Sequence, residues 1–173
     1  MLTTTRPAFR LVASLIFIVV SMLLTELTST QAADGPTLRI DGAVATPLTL
    51  TVADLAALPQ SDVHVAYLTG HGPEEATYSG VALWSLLEKA GFGEAFNDKK
   101  TKLSHVLIFT ASDGYQIALS YGELEPNLEG KSAIIALKRN GQPIDDKDIF
   151  RLALPGDKHG ARNMHLITHI ELK

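Results

Sequence analysis

The chain contains no cysteine. It can therefore form no disulfide, offer no thiolate to a metal, and support neither a cysteine nucleophile nor thiol redox chemistry. Any folded part must rest on its hydrophobic core alone. No basic run is present, and a formal net charge of −4 leaves no electrostatic reason to bind nucleic acid or anionic lipid. No G-x-S-x-G elbow occurs, and Ser79-Gly80 has no base near it in sequence, although a triad assembled in space stays open. A Walker loop is missing too. Gly70-His71-Gly72 and Gly91-Phe92-Gly93 lack the third glycine and the strand-helix order of a dinucleotide site. Asp145-Asp146-Lys147-Asp148 is acidic but lacks calcium-loop spacing, and reads as a solvated turn. There is no internal repeat, no low-complexity tract and no linker long enough to separate two domains.

What is present begins with an N-terminal address. Arg6 and Arg10 precede an apolar run from Leu11 to Leu24, followed by a polar segment ending in Thr30-Gln31-Ala32. Basic, apolar and small residues in that order form a secretory signal. The run is shorter than the roughly 18 to 20 residues that span a bilayer. The alternative is an uncleaved anchor, but Glu26 and the Ser/Thr-rich tail favour cleavage after Ala32. Residues 1–32 are thus expected to leave, and residues 33–173 to form one exported domain of 141 residues. Removing Arg6, Arg10 and Glu26 takes the formal charge from −4 to −5. A domain of this size can bury a sufficient core without disulfides.

The remaining chain alternates short strands with turn signals. Thr37 to Asp41 and Leu48 to Leu50 read as strands. Thr51 caps a short helix that carries Asp54 in its first turn and stops at Pro59. Val63 to Leu68 is rich in strand formers, and Thr69 to Glu75 reads as a loop. Val81 to Ala90 is the strongest helix, with Ser79 as a cap, Leu83, Leu86 and Leu87 on one face, and Gly91 at its end. Trp84 within it is a packing residue. Strands are expected at His105 to Thr110, Tyr115 to Leu119, Ala133 to Leu137, Arg151 to Leu154 and His165 to Leu172. Ser112-Asp113-Gly114 makes one turn, and Asn140-Gly141 signals a hairpin. The sum is a strand-dominated α+β domain with a mixed sheet and short peripheral helices.

Six histidines raise the question of a metal. His165 and His169 have the spacing that chelates on a helix, but their segment alternates as a strand. At about 3.3 Å per residue they would lie some 13 Å apart, too far to share an ion. His64, His71 and His105 belong to unrelated elements. No metal site is expected from these residues.

The segment Phe150 to Arg162, FRLALPGDKHGAR, carries the clearest binding signal. Arg151 opens a strand that breaks at Pro155-Gly156, and Arg162 begins the next strand. Gly156 and Gly160 let the backbone approach a ligand, and exposed amides in such a turn suit an anion or a heterocycle. The arginines add planar, multi-donor side chains. A tight turn between two ordinary strands explains the same residues about as well.

The pattern R-L-x-x-P-G-x-x-x-G-A-R at 151–162 resembles the cofactor loop of the sulfite oxidase-type molybdopterin-binding domain. Other pieces resemble that family in the same order. They are Leu38 to Gly42 with Pro47 to Leu50 and Asp54-Leu55, then Ser79 to Leu87, Asp113-Gly114-Tyr115, and Ala136-Leu137 with Asn140 to Ile144. The resemblance implies the family's fold over about 130 residues, and a pterin as ligand. It also implies a cleft in which Arg151 and Arg162 donate, Gly156 and Gly160 give backbone contacts, Asp157 meets the amino edge, and Tyr115 forms a wall. His71 is a further candidate from the facing loop.

Catalytic members of that family hold molybdenum through a cysteine near the end of the strand before the Gly-Val helix. Here that stretch is Val63 to His71, VHVAYLTGH, and has none. The family's histidine before the arginine gives way to Asp145-Asp146-Lys147, and its late lysine to Met164-His165. These departures argue against molybdenum and against catalysis. The pattern is similar to small exported relatives that bind a pterin without metal. Some of those are periplasmic sensors that dock on the outer domain of a membrane cyclic di-GMP signalling enzyme. Two other readings remain: a molybdopterin-dependent oxidoreductase whose metal is held by the cofactor alone, and a structural or interaction domain with a degenerate pocket.

Overall fold

A computed structural model describes residues 35–92 and 101–173. The expected signal segment at 1–32 lies outside the described residues, as does Gly93 of the Gly91-Phe92-Gly93 run. Among the described residues ten strands form two sheets. The first has the order β2-β1-β10-β5-β6, built from β1 (Leu38–Gly42), β2 (Leu48–Leu50), β5 (Val106–Ala111), β6 (Gln116–Ser120) and β10 (Ile167–Leu172). The second runs β3-β4-β7-β8, with β9 also on β7. Its strands are β3 (Ser61–Thr69), β4 (Gly72–Ala82), β7 (Ile134–Arg139), β8 (Gln142–Pro143) and β9 (Arg151–Ala153). All neighbours are antiparallel except β1 and β10, which pair in parallel from Arg39 opposite His169 to Gly42 opposite Leu172.

Helices are few and short, as an α+β reading requires: α1 (Val52–Ala56), α2 (Leu83–Lys89) and α3 (Tyr121–Leu124). Thr51 caps α1 through a reciprocal box in which its hydroxyl accepts from Asp54 N at 3.1 Å and its own N–H donates to Asp54 Oδ2 at 2.8 Å. The Asn140-Gly141 hairpin forms between β7 and β8 with φ of 51° and 79°, the left-handed pair a tight two-residue turn needs.

Three local expectations need correction. Thr69 to Glu75 is not a loop: the chain reverses within Thr69 to Gly72, and β4 already pairs Leu68 with Pro73 and Ala66 with Glu75. Nine cross-strand pairs outweigh the breaking tendency of Gly72 and Pro73. The helix at 81–90 starts later, at Leu83, because Val81 and Ala82 extend β4 against Ile135 and Ile134, and Ser79 lies inside that strand rather than at a cap. Arg162 does not begin a strand. It ends a 3-10 turn, Gly160–Arg162, and β10 begins at Ile167.

The sequence alternation places the core. The apolar side chains of the first sheet and α2 form the main cluster, among them Leu38, Ile40, Leu86, Leu87, Leu107, Phe109 and Ile170, all fully buried. A smaller cluster lies on the second sheet: Val63, Val65, Tyr67, Ala76, Tyr78, Ile134, Ala136 and Ala153. Burying aliphatic side chains of this size is worth about 1.5–3 kcal/mol each, so the main cluster dominates the fold. The smaller one differs in kind. Two of its eight members are tyrosines, whose hydroxyls need polar partners.

Candidate functional site

Those tyrosines lead to the site. Tyr67 is in phase with Val63 and Val65 on β3, so its ring packs inward while its hydroxyl emerges near the end of the strand. There it accepts a hydrogen bond from Arg151 Nη2 at 3.0 Å. Arg151 Nη1 donates to Asp148 Oδ1 at 2.6 Å, and Glu74 Oε1 lies 3.9 Å from Nη2. The Arg151 guanidinium also sits 5.2 Å from the centroid of the Tyr78 ring, in cation–π range. The Arg151 side chain is 12% exposed, and its Nε is buried without a hydrogen-bond partner.

The electrostatics follow from this packing. Burial alone would pull the Arg151 pKa down, but Asp148 and the tyrosines outweigh it and hold the guanidinium charged above its ordinary value. Burial pushes the Tyr78 phenol up to about 12, and it raises Tyr67 against the opposing pull of Arg151. Both phenols keep their protons at neutral pH.

Two left-handed residues stand close to Arg151. Phe150 and Leu166 adopt left-handed conformations with φ of 50° and 55°, a costly choice for bulky residues. Around them Leu166 N donates to Ile149 O at 2.9 Å, and Leu152 N donates to Met164 O at 2.8 Å. Phe150 is buried, so the strain is held in place by core packing.

These elements frame an open cleft of about 740 Å³. Its walls come from the end of β3 and the turn after it (Tyr67 to Gly70), from Glu74 on β4, from Ala111 with Asp113 and Tyr115, from Arg151, and from His159 to Ala161 and Asn163 to Leu166. That volume lies within the range of small-molecule pockets. Tyr115 spans part of the cleft, its hydroxyl donating to Ala161 O at 3.1 Å.

The loop after β9 is tied down at both ends. Asn163, a buried polar residue, accepts from Leu154 N at 2.7 Å through Oδ1 and donates to Leu154 O at 3.1 Å through Nδ2. It acts as a substitute strand partner across the loop neck. Farther out, Leu68 N donates to Lys158 O at 3.0 Å, and Leu68 bridges His159 in parallel. Gly160 lies flush on the Tyr67 ring, where a Cβ would meet ring carbons at 2.6 Å. Only glycine allows that approach.

Of the residues singled out in the sequence, Tyr115, Arg151 and Gly160 line the cleft together. The others do not line it. Gly156 forms the turn with φ 89° and has open space around it. Asp157 and Arg162 form a bidentate pair at 2.6 and 2.9 Å, and Arg162 Nη1 donates to Glu123 Oε1 at 2.8 Å. The hydrogen bonds to Asp157 and then to Glu123 raise the Arg162 pKa. Burial pushes Glu123 up, but Arg162 and Ser120 outweigh it and hold its carboxyl below the usual value. His71 is exposed at the β3–β4 turn, its N–H donating to Thr69 Oγ1 at 3.1 Å.

Sequence reasoning overlooked Tyr67, Glu74, Asn163 and His159. It weighed His165 only as a metal ligand and as the residue in place of the family's late lysine, and Asp148 only as part of a solvated turn. One signal was available for Tyr67: a tyrosine in phase with the buried face of a strand brings a hydroxyl that must find a partner. Glu74 and His159 join the site through long-range pairing, whereas Asp148 is only three residues from its partner Arg151. His165 and His169 have separate partners: His165 Nδ1 lies 3.0 Å from Lys147 O, and His169 Nε2 lies 2.6 Å from Asp41 Oδ1. Among the described residues no three metal-ligating side chains converge.

The geometry has counterparts among known proteins. The sulfane dehydrogenase SoxCD from Paracoccus pantotrophus superposes with a TM-score of 0.64 at 18% identity, over 79% of this chain and 38% of that one. The likeness is one of fold, and the present chain spans well under half of that protein. No curated protein sequence matches this chain. The profile of the oxidoreductase molybdopterin-binding domain matches residues 27–173. By that match, over most of its length, the chain belongs to the oxidoreductase molybdopterin-binding domain family.

Proposed function

We propose that this protein is an exported, non-catalytic pterin-binding domain that acts as a periplasmic sensor. The observation that carries the proposal is Arg151, held charged by Asp148, Tyr67 and Glu74 at the wall of the cleft. A pterin is flat and edged with donors and acceptors. Tyr115 offers an exposed aromatic surface, Glu74 and Asp113 offer acceptors, and Arg151 offers a fixed donor group. Gly160 keeps the loop close to the Tyr67 ring, so the cleft stays shaped when empty.

The family's cofactor carries molybdenum on its pterin. The donor set of this cleft suits the pterin: phenols, carboxylates, imidazoles and a guanidinium. It does not suit a thiolate-ligated metal, because the stretch that would supply the thiol, Val63 to His71, has none. The export step rests on the signal-like residues 1–32. The partner, the outer domain of a membrane cyclic di-GMP enzyme, rests on resemblance to small exported relatives.

The test is to purify the protein from the periplasm of its native host and analyse it by mass spectrometry, fluorescence and elemental metal content. A fluorescent pterin near one per chain without molybdenum is the expected result. Molybdenum in stoichiometric amount would replace the sensor reading with an oxidoreductase. No pterin, and none bound on titration, would leave a structural domain.

A further inference from the structure

We infer that the cleft selects a pterin whose side chain is uncharged and rejects the same pterin bearing a phosphate. The inference rests on the pterin reading above and adds to it the chemical class of the ligand. It comes from a census of charge. The titratable side chains with acid or basic character lining the cleft are Glu74, Asp113, Arg151, His159 and His165. Among the described lining residues Arg151 is the one lysine or arginine, and it is already committed to Asp148 at 2.6 Å with Glu74 at 3.9 Å.

Two other cations stand close in sequence and do not serve the cleft. Arg162 is held by Asp157 and Glu123, both at hydrogen-bond distance. Lys158 lines a separate shallow groove that shares Tyr67, Leu68 and Glu74 with the cleft but is itself edged by Glu75. Glu74 is itself held by Arg139 at 2.8 Å, so the lining offers no uncommitted lysine or arginine and leaves Asp113 as a carboxylate with no ion pair among the described residues. A phosphate monoester adds between one and a half and about two negative charges and is held best by bidentate guanidinium contacts. Here it would have to displace Asp148 from Arg151 or Glu74 from Arg139, or lie beside Asp113 uncompensated.

The same carboxylates favour the uncharged ligand. Glu74 uses Oε1 for Arg139 at 2.8 Å, and Asp113 uses Oδ1 to accept from Tyr115 N at 2.9 Å. Glu74 Oε2 and Asp113 Oδ2 are left as acceptors for the exocyclic amine and ring N–H groups of a pterin. A site built with surplus acceptors and one neutralised donor group discriminates by repulsion as well as by attraction.

The experiment uses neopterin and neopterin monophosphate, which share ring and side chain and differ in the phosphate. Binding of each to the purified protein is read by fluorescence quenching at pH 8. Neopterin is expected to bind at least about tenfold more tightly, equivalent to about 1.4 kcal/mol. In Asp113→Asn, which keeps an acceptor for Tyr115 N, the ratio is expected to shrink, with circular dichroism confirming the fold. Equal or tighter binding of the phosphate on the unaltered protein overturns the inference and leaves the pterin reading standing. Binding of neither overturns the pterin reading, and the selectivity falls with it.

Discussion

Arg151 and Arg162 stand at the two ends of one loop and look equivalent in sequence, yet they occupy unlike surroundings. Arg151 is anchored in the smaller core, against two tyrosines, and faces the cleft. Arg162 sits in a half-exposed cluster with Asp157 and Glu123, which joins the loop to the start of α3. Side-chain exposure is 12% for the first and 31% for the second. The difference teaches that a charge at the rim of a core can be both structural and available to a ligand, whereas one saturated by two carboxylates serves only to close a loop.

The sharpest way to break the comparison is Arg151→Ala. It leaves Asp148 and the Tyr67 hydroxyl without their cation, and it should cost about 3 kcal/mol in urea unfolding together with loss of pterin binding. Next comes the neck between the two regions. Asn163→Ala leaves both polar groups of Leu154 buried and unpaired, an expected loss of about 2 kcal/mol by the same measurement. Gly160→Ala drives a methyl into the Tyr67 ring, which should cost about 1 kcal/mol and weaken pterin binding more than it weakens the fold. Arg162→Gln should cost less than about 1 kcal/mol, because a partly exposed ion pair is screened by solvent, and titration should show pterin affinity little changed.

The smallest effect is in pH. Glu123 has a folded pKa below its ordinary 4.5, so the unfolded chain binds more protons in that window. Its contribution is complete above about pH 4.5 and is lost as pH falls through the lower folded value. Denaturation series between pH 3 and 6, on the order of one unit apart, should show a shallower loss in Arg162→Gln than in the unaltered protein. An identical slope would mean that Arg162 does not set the Glu123 carboxyl.

Much of the architecture was legible because strand alternation and turn chemistry are local. Thr51 with Asp54, Asn140-Gly141 and the Leu83, Leu86, Leu87 face all act within a few residues. What misled was also local. Gly72 and Pro73 read as breakers, but a strand with nine paired positions runs through them, since pairing with β3 overrides propensity. The site was legible in part: Tyr115, Arg151 and Gly160 stand in recognisable motifs. Glu74 had no such signal, because it meets Arg139 and Arg151 only through the pairing of the second sheet. Asp148 and Asn163 lie close in sequence to their partners Arg151 and Leu154, but the residue pattern did not set them apart from ordinary turn residues. The reason Gly160 must be glycine is likewise a matter of distance, not of turn type: it lies against Tyr67, far away in sequence.

One feature of the first sheet governs how the molecule comes into being. Its central strand, β10, comes last in sequence among the described strands, and it alone joins the β1–β2 hairpin to the β5–β6 hairpin. A chain stopped before Ile167 would hold two separate hairpins with the main core open between them. Pairing of Arg39 with His169 closes a loop of nearly the whole domain, the kind of non-local contact that slows folding. Synthesis must therefore pass beyond β10 before the first strand finds its place, and truncation ahead of Ile167 should act as an all-or-none defect.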